Sequence, residues 1–237
     1  MDAEAIIAAN LQRVREQIAD AAQRAGRQPE ETTLVGVTKY VDAAAAQALF
    51  DAGCHDLGES RPQSLWEKAE SLVGLPIRWH MIGHLQRNKV KRTLPFVTLL
   101  HAGDSLRLLE AVDVEAAALG LVVDVLLEVN ISGDISKHGF RPDELRAAFP
   151  QIAALGNLKV RGLMTMAALE GGPQRARRDF AALRELRDTL QQDCPPSMQL
   201  QDLSMGMSED FVEAIQEGAT IVRIGSALWE GLEHDRA

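Results

Sequence analysis

Apolar residues recur along this chain in two alternating rhythms. Ile7, Leu11, Val14 and Ile18 stand at i, i+4, i+7 and i+11, which places them on one face of an amphipathic helix. Gly26 and Pro29 then end it. Beyond that point, short β-branched and apolar runs predict strands at 33–38, 77–82, 97–100, 121–129, 159–163 and 220–224, with weaker ones at 55–57 and 200–203. Runs such as LVVDVLLEV are continuous, as expected of strands buried on both faces. Helical repeats come between them. Leu106, Leu109, Ala116 and Leu119 share one face, and so do Phe180, Leu183, Leu186 and Leu190. A further helix is expected from Ser208, with Glu209 and Asp210 in its first turn, to Gly218. The basic NKVKR at 88–92 reads as a helix surface.

Eight strand–helix units after one extra helix predict an α/β fold, a (β/α)8 TIM barrel with an N-terminal helix. Residues 1–237 are expected to form a single domain, with 1–26 packed on the barrel. An open doubly wound sheet is the alternative. It would usually need fewer strands and often carries a Gly-rich dinucleotide fingerprint, which the sequence lacks.

Composition narrows the function classes. With 46% hydrophobic and 25% charged residues the chain can bury a full core in water. A net charge of -9 speaks against nucleic acid as a partner, because phosphate neutralisation needs a basic stripe, but it leaves room for one local phosphate pocket. No run approaches the roughly 18 apolar residues of a membrane span. The N-terminal MDAEAIIAANLQRVREQ has no basic segment leading into an apolar one. The expected setting is therefore the cytoplasm, with no membrane partner. Cys54 and Cys194 have no metal-ligand spacing and read as ordinary reduced thiols.

Polar and glycine-rich groups cluster after the predicted strands: Lys39, LGESR at 57–61, IGHLQ at 82–86, NISGDISKHG at 130–139, MTM at 164–166, SMGMS at 204–208 and RIGS at 223–226. On a barrel all of them meet at the C-terminal face, where barrel active sites are built. Lys39 ends an apolar run, so its stem is expected to be partly desolvated, which favours the neutral amine a Schiff base needs. The plainer reading is a lysine that snorkels from a strand end. SMGMS and RIGS occupy the loops after strands seven and eight, the usual phosphate site of barrels. Gly206 is expected to allow close backbone approach, while Gly225 and Ser226 open a short helix. Arg223 either pairs with Glu59 inside the barrel or sets its guanidinium against an aromatic nitrogen of a ligand, which would stay unprotonated.

No metal is expected. His80 and His84 are four apart, yet WHMIGHLQ reads as a strand ending at Gly83, and Met81 stands where a zinc protease has glutamate. Lys137 competes as an amine, but its polar surroundings predict an exposed, solvated side chain.

Several of these segments together resemble the YggS/PROSC family of pyridoxal phosphate homeostasis proteins over essentially the whole chain. They are VGVTKY at 35–40, LGESRPQ at 57–63, WHMIGHLQRNKVK at 79–91, VNISGDISKHGF at 129–140, GLMTM at 162–166 and LSMGMSEDFVEAIQEGATIVRIGSALWE at 203–230. The family is similar in fold to the barrel domain of alanine racemase and binds pyridoxal 5'-phosphate. The resemblance implies that Lys39 forms the Schiff base, that Ser204, Gly206, Gly225 and Ser226 surround the phosphate, with Met205 among the cofactor-binding residues, and that Arg223 faces the pyridine nitrogen. His84 and Met166 would lie near the cofactor. Ser60 stands where the family commonly has asparagine, so a contact made through that amide is in doubt.

The resemblance also implies a homeostatic role, in which the chain holds the reactive aldehyde and supplies it to apo-enzymes that need it. Two features are expected to disfavour catalysis. The chain ends a few residues after the eighth strand, leaving no room for the β-rich second domain of alanine racemase, and a monomer is expected. Tyr40, the sole tyrosine, should point away from the pocket as the strand neighbour of Lys39, leaving no opposing base. An unprotonated pyridine is, besides, a weak electron sink. A small amino-acid racemase is the alternative, and a lysine-dependent aldolase a more distant one.

Overall fold

A computed structural model describes residues 2–134, 137–168, 170–196 and 198–232. Eight parallel strands close into a barrel in sequence order. They are β1 (Thr33–Val37), β2 (Asp56–Glu59), β3 (Arg78–Met81), β4 (Val97–Gly103), β5 (Val123–Glu128), β6 (Leu158–Met164), β7 (Asp202–Ser204) and β8 (Ile221–Ile224). The helices are α1 (Ala3–Arg24), α2 (Ala43–Asp51), α3 (Pro62–Ser71), α4 (Val90–Thr93), α5 (Leu106–Leu119), α6 (Pro142–Ala153), α7 (Gly172–Gln192) and α8 (Phe211–Gln216). All eight expected strands are present, and closure excludes the open sheet. The last pairing, Gly36 with Ile224, sets the end of β1 beside the end of β8.

Alternation along each strand sorts side chains into two compartments. Leu57, Trp79, Met81, Leu100, Leu127, Leu163, Leu203, Val222 and Ile224 face outward into the main apolar layer, together with the inner faces of the helices. Val35, Leu99, Ala102, Leu126, Met164 and Ile221 form a separate apolar plug inside the barrel. Two close approaches depend on glycine. A Cβ on Gly162, at φ +159, would sit 1.8 Å from the Asp202 carbonyl oxygen, so β7 could not lie against β6. A Cβ on Gly83 would meet the Ser60 carbonyl oxygen at 2.3 Å, which is how the loops after β2 and β3 come together.

Helix α1 buries Ile7, Leu11, Val14 and Ile18, as its periodicity predicts, and packs against α8 and α2. Asn10 Nδ2 donates to the Leu228 and Glu230 carbonyls, tying α1 to the segment after β8. The NKVKR stretch forms a 3-10 turn leading into α4, as expected of a helix surface. The helix expected from Ser208 begins later. Asp210 is the residue before α8, and 208–210 form a turn in which the Met207 N–H donates to Asp210 Oδ1 at 2.6 Å. Among the described residues no helix is long and apolar enough to cross a membrane.

Candidate functional site

The C-terminal ends of the strands gather a set of polar side chains whose roles follow from their facing. Arg223 points inward from β8 and is 4% exposed. Its Nη1 donates to Ser204 Oγ at 2.5 Å and its Nη2 to the Thr165 carbonyl at 2.9 Å. Burial draws the guanidinium down to about 10, while the nearby carboxyls of Glu128 and Asp210 oppose that and keep it charged.

Glu59 is not its partner. Glu59 shares the outward face of β2 with Leu57 and meets Lys68 of α3 at 2.5 Å and the Thr38 hydroxyl at 2.6 Å. The expected Arg223–Glu59 pair fails because strand parity puts the two on opposite sides of the sheet.

The loops after β7 and β8 form one unit. The Met205 N–H donates to the Ile221 carbonyl and the Arg223 N–H to the Gly206 carbonyl. Ser208 Oγ accepts from the Gly225 and Ala227 N–H groups at 3.2 and 3.4 Å. Ser226 is exposed beside them and starts a 3-10 turn through Leu228, the short helix expected there. Ser204 itself cannot offer its hydroxyl to this cradle. It is wholly buried on the inner face of β7, its oxygen engaged by His101 and Arg223. Met205 is likewise buried in the apolar layer. Gly206, at φ +95, lets the loop approach α8: a Cβ there would lie 2.6 Å from the Ala214 Cβ.

Lys39 lies two residues past β1, in a turn. Its expected desolvation is absent: the side chain is exposed, with Nζ 4.9 Å from the centre of the Tyr40 ring. The strand argument for Tyr40 also fails, because β1 ends at Val37 and both residues follow it. The strand end before Lys39 is fixed at the β1–β8 seam. The Val37 carbonyl accepts from Trp229 Nε1 at 2.8 Å, and Val37 packs against Gly225.

The other candidates ring the same mouth. Ser60 is half-buried against Gly83. His84 Nδ1 lies 2.6 Å from Asp104 Oδ2, and its ring stacks on His138 at 4.4 Å between centroids. Donor atoms of His84, Asp104 and His138 all lie within 4.8 Å of one another, a grouping of which the His80–His84 spacing holds no sign. His80 is separate, inside the barrel on β3. Met166 is partly exposed after β6. Lys137 is not simply solvated. It is half-buried, and its Nζ donates to the Met166 and Ala167 carbonyls at 3.2 and 2.6 Å.

Comparison with known proteins settles the relationship. Residues 9–232 match the family model for the alanine racemase N-terminal domain. A pyridoxal phosphate homeostasis protein of Aquifex aeolicus is 42% identical over 92% of this chain and 95% of its own. The chain belongs to this family. Its relative of that name in Pseudomonas aeruginosa is 38% identical over 94% of each chain. Among solved structures, PipY of Synechococcus elongatus with PLP bound is 35% identical with a TM-score of 0.85, covering 94% of this chain and 99% of PipY. Clostridium difficile alanine racemase, at 15% identity and a TM-score of 0.70, shares the fold alone.

For this member of the pyridoxal phosphate homeostasis family, sequence reasoning misses two candidate residues. Ser208 reads only as a helix cap, although it supplies the hydroxyl at the β7–β8 cradle. Glu128 ends β5 on the inner face, 4% exposed. Burial, reinforced by Asp104, raises its carboxyl to about 7, against the pull of Arg223 and His84. Glu128 is thus a titratable group at the inner end of β5 that sequence reasoning passes over. The signal is a carboxylate closing the apolar run VLLE at 125–128.

Proposed function

We propose that this chain holds pyridoxal 5'-phosphate at the C-terminal mouth of the barrel, with Lys39 as the Schiff-base lysine. Its role is intracellular homeostasis of that cofactor, meaning storage and delivery to apo-enzymes rather than robust catalysis. The observation that carries this reading is the join of β1, β7 and β8. One seam brings together an accessible amine at Lys39, the Ser208 hydroxyl with the Gly225 and Ala227 amides bonded to it, and the buried Arg223 cation.

These residues fit the group. A phosphate needs N–H and O–H donors: the Ser208 hydroxyl keeps a hydrogen to give, and the Gly225 and Ala227 amides now bonded to its oxygen would turn to the phosphate when it arrives. Arg223 never acts as an acceptor, so a ring nitrogen facing it is held unprotonated. The bound cofactor supplies an electrophilic aldehyde, and with such a nitrogen it is a weak electron sink. Ser60, His84 and Met166 border the remaining side of the mouth, while Ser204, Met205 and Gly206 support it from behind. The names of the relatives in Aquifex and Pseudomonas, and the PLP bound to PipY, support the assignment. The reading extends to a single-domain monomer in the cytoplasm, consistent with the two free cysteines.

An absorption spectrum tests it. Incubation with pyridoxal phosphate should give a band at the blue–violet edge that Lys39→Ala abolishes and Lys137→Ala keeps. No band in the intact protein would sink the proposal. Mixing the loaded protein with a cofactor-free enzyme should then restore that enzyme's activity.

Glu128 supports a second reading, a racemase-type enzyme, because its carboxyl exchanges a proton near neutrality inside the mouth. Turnover of D- or L-alanine or serine well above that of free pyridoxal phosphate, and lost in Glu128→Gln, would replace the carrier reading.

A further inference from the structure

A row of hydrogen-bonded side chains crosses the inside of the barrel from one mouth to the other. Asp56 opens β2 at the N-terminal mouth, where Arg78 also pairs with it. Its Oδ1 lies 3.0 Å from His80 Nε2 on β3. His80 Nδ1 lies 2.9 Å from His101 Nε2 on β4, and His101 Nδ1 lies 2.9 Å from Ser204 Oγ on β7. Ser204 Oγ then meets Arg223 on β8. His80, His101, Ser204 and Arg223 are all buried.

Counting hydrogens fixes the direction of every link. Arginine only donates, so Ser204 Oγ accepts from Arg223 Nη1 and keeps one hydrogen to give. The ring nitrogen within its reach is His101 Nδ1. That nitrogen must then be the acceptor, which places the His101 proton on Nε2. His101 Nε2 donates to His80 Nδ1, and the His80 proton falls on Nε2, donating to Asp56. The reverse order has Arg223 and His101 both donating to Ser204. It strands the serine hydrogen without an acceptor among the described residues and sets a second cation inside the barrel.

We infer that Asp56 and Arg223 are the two ends of one polarised chain, and that Asp56, His80 and His101 are positioning residues for the Arg223 guanidinium. Asp56 fixes the His80 tautomer, His80 fixes that of His101, and His101 commits the Ser204 hydrogen. The serine lone pair is thereby left facing Arg223. With Nη1 held by Ser204 and Nη2 by the Thr165 carbonyl, the plane of the guanidinium is set. How Arg223 addresses a ligand at the C-terminal mouth is thus determined by a carboxylate at the opposite end of the barrel. The role toward the pyridine nitrogen rests on the function proposed above; the polarity of the chain does not.

Nitrogen-15 NMR of the imidazoles in the cofactor-free protein tests the chain. His80→Gln and His101→Gln assign the two rings. Both should carry their single proton on Nε2 at neutral pH. A proton on His101 Nδ1, or a doubly protonated His80, would overturn the inference. Asp56→Ala should release both rings into mixed tautomers. Asp56→Asn, which keeps an acceptor oxygen, should preserve the Nε2–H form, as should Arg78→Ala, which breaks only the exposed ion pair. Unchanged tautomers in a folded Asp56→Ala would also overturn it.

In the loaded protein, Asp56→Ala should shift the absorption band and weaken pyridoxal phosphate about tenfold, the weight of one buried hydrogen bond. Asp56→Asn should restore both. Wild-type tautomers as expected in a protein that fails to bind pyridoxal phosphate would leave the chain standing and remove the proposed function. Binding that is indifferent to Asp56→Ala, with tautomers scrambled, would remove the positioning role alone.

Discussion

The two faces of the strands make two different interiors. Between barrel and helices lies a continuous apolar layer, interrupted by the buried ion pair of Lys68 with Glu59. Inside the barrel the apolar residues shrink to a plug of six, and polar side chains occupy much of the rest: Asp56, His80, His101, Ser204, Arg223 and Glu128. The outer layer buries the most surface and so carries most of the stabilisation. That division leaves the inner compartment free to hold charges and hydrogen bonds that a core of the same size could not tolerate unsatisfied.

Substitutions should separate the two compartments. In the outer layer, Phe180→Ala removes a wholly buried ring and should cost about 3–5 kcal/mol in urea unfolding, with pyridoxal phosphate binding intact in the folded fraction. Lys68→Met strands the Glu59 carboxylate, whose Oε2 already lacks a partner. It should cost about 3 kcal/mol, and Lys68→Met with Glu59→Leu should recover much of that.

Inside the barrel the effect depends on pH. The Glu128 carboxyl keeps its proton to about 7 in the folded chain against 4.5 in the ordinary case. The folded state therefore binds more protons between those values, and stability falls as pH rises through that window. Glu128→Gln should remove roughly 3 kcal/mol of that fall, measured as the difference from wild type between pH 4.5 and 8. An equal slope in both proteins would mean that Glu128 is not the inner titrating group.

At the rim the changes in stability become small. Ser208→Ala should weaken pyridoxal phosphate about tenfold, with a change in unfolding of about 1 kcal/mol or less. Lys39→Ala should move stability by under about 0.5 kcal/mol while abolishing the blue–violet band, because an exposed lysine contributes little packing.

Much of this is legible in the chain. Strands buried on both faces announce themselves as apolar runs, and six of the eight do. The weak pair, β2 and β7, are short and turn polar or side-chain-free positions inward: Asp56 and Gly58 on one, Asp202 and Ser204 on the other. The site is less legible because its chemistry depends on strand parity and on where each strand stops. SMGMS carries two serines four residues apart. Only the end of β7 at Ser204 decides that the first faces inward and the second reaches the loop. Leu57 is enough to place Glu59 outside, since the two share a face. Lys39 reads as a strand end, but in the fold the turn has already begun. The His84–Asp104–His138 group unites three loops, and local spacing holds no trace of it.

The exposure of Lys39 has a kinetic meaning. With Lys39 as the proposed Schiff-base lysine, an anchor that water already reaches would make residence time, more than affinity, the property under control. Cargo held there would leave at the pace of hydrolysis, or of exchange with an incoming amine, at one carbon atom. For a store that must be emptied on demand, an open hinge of that kind is an advantage.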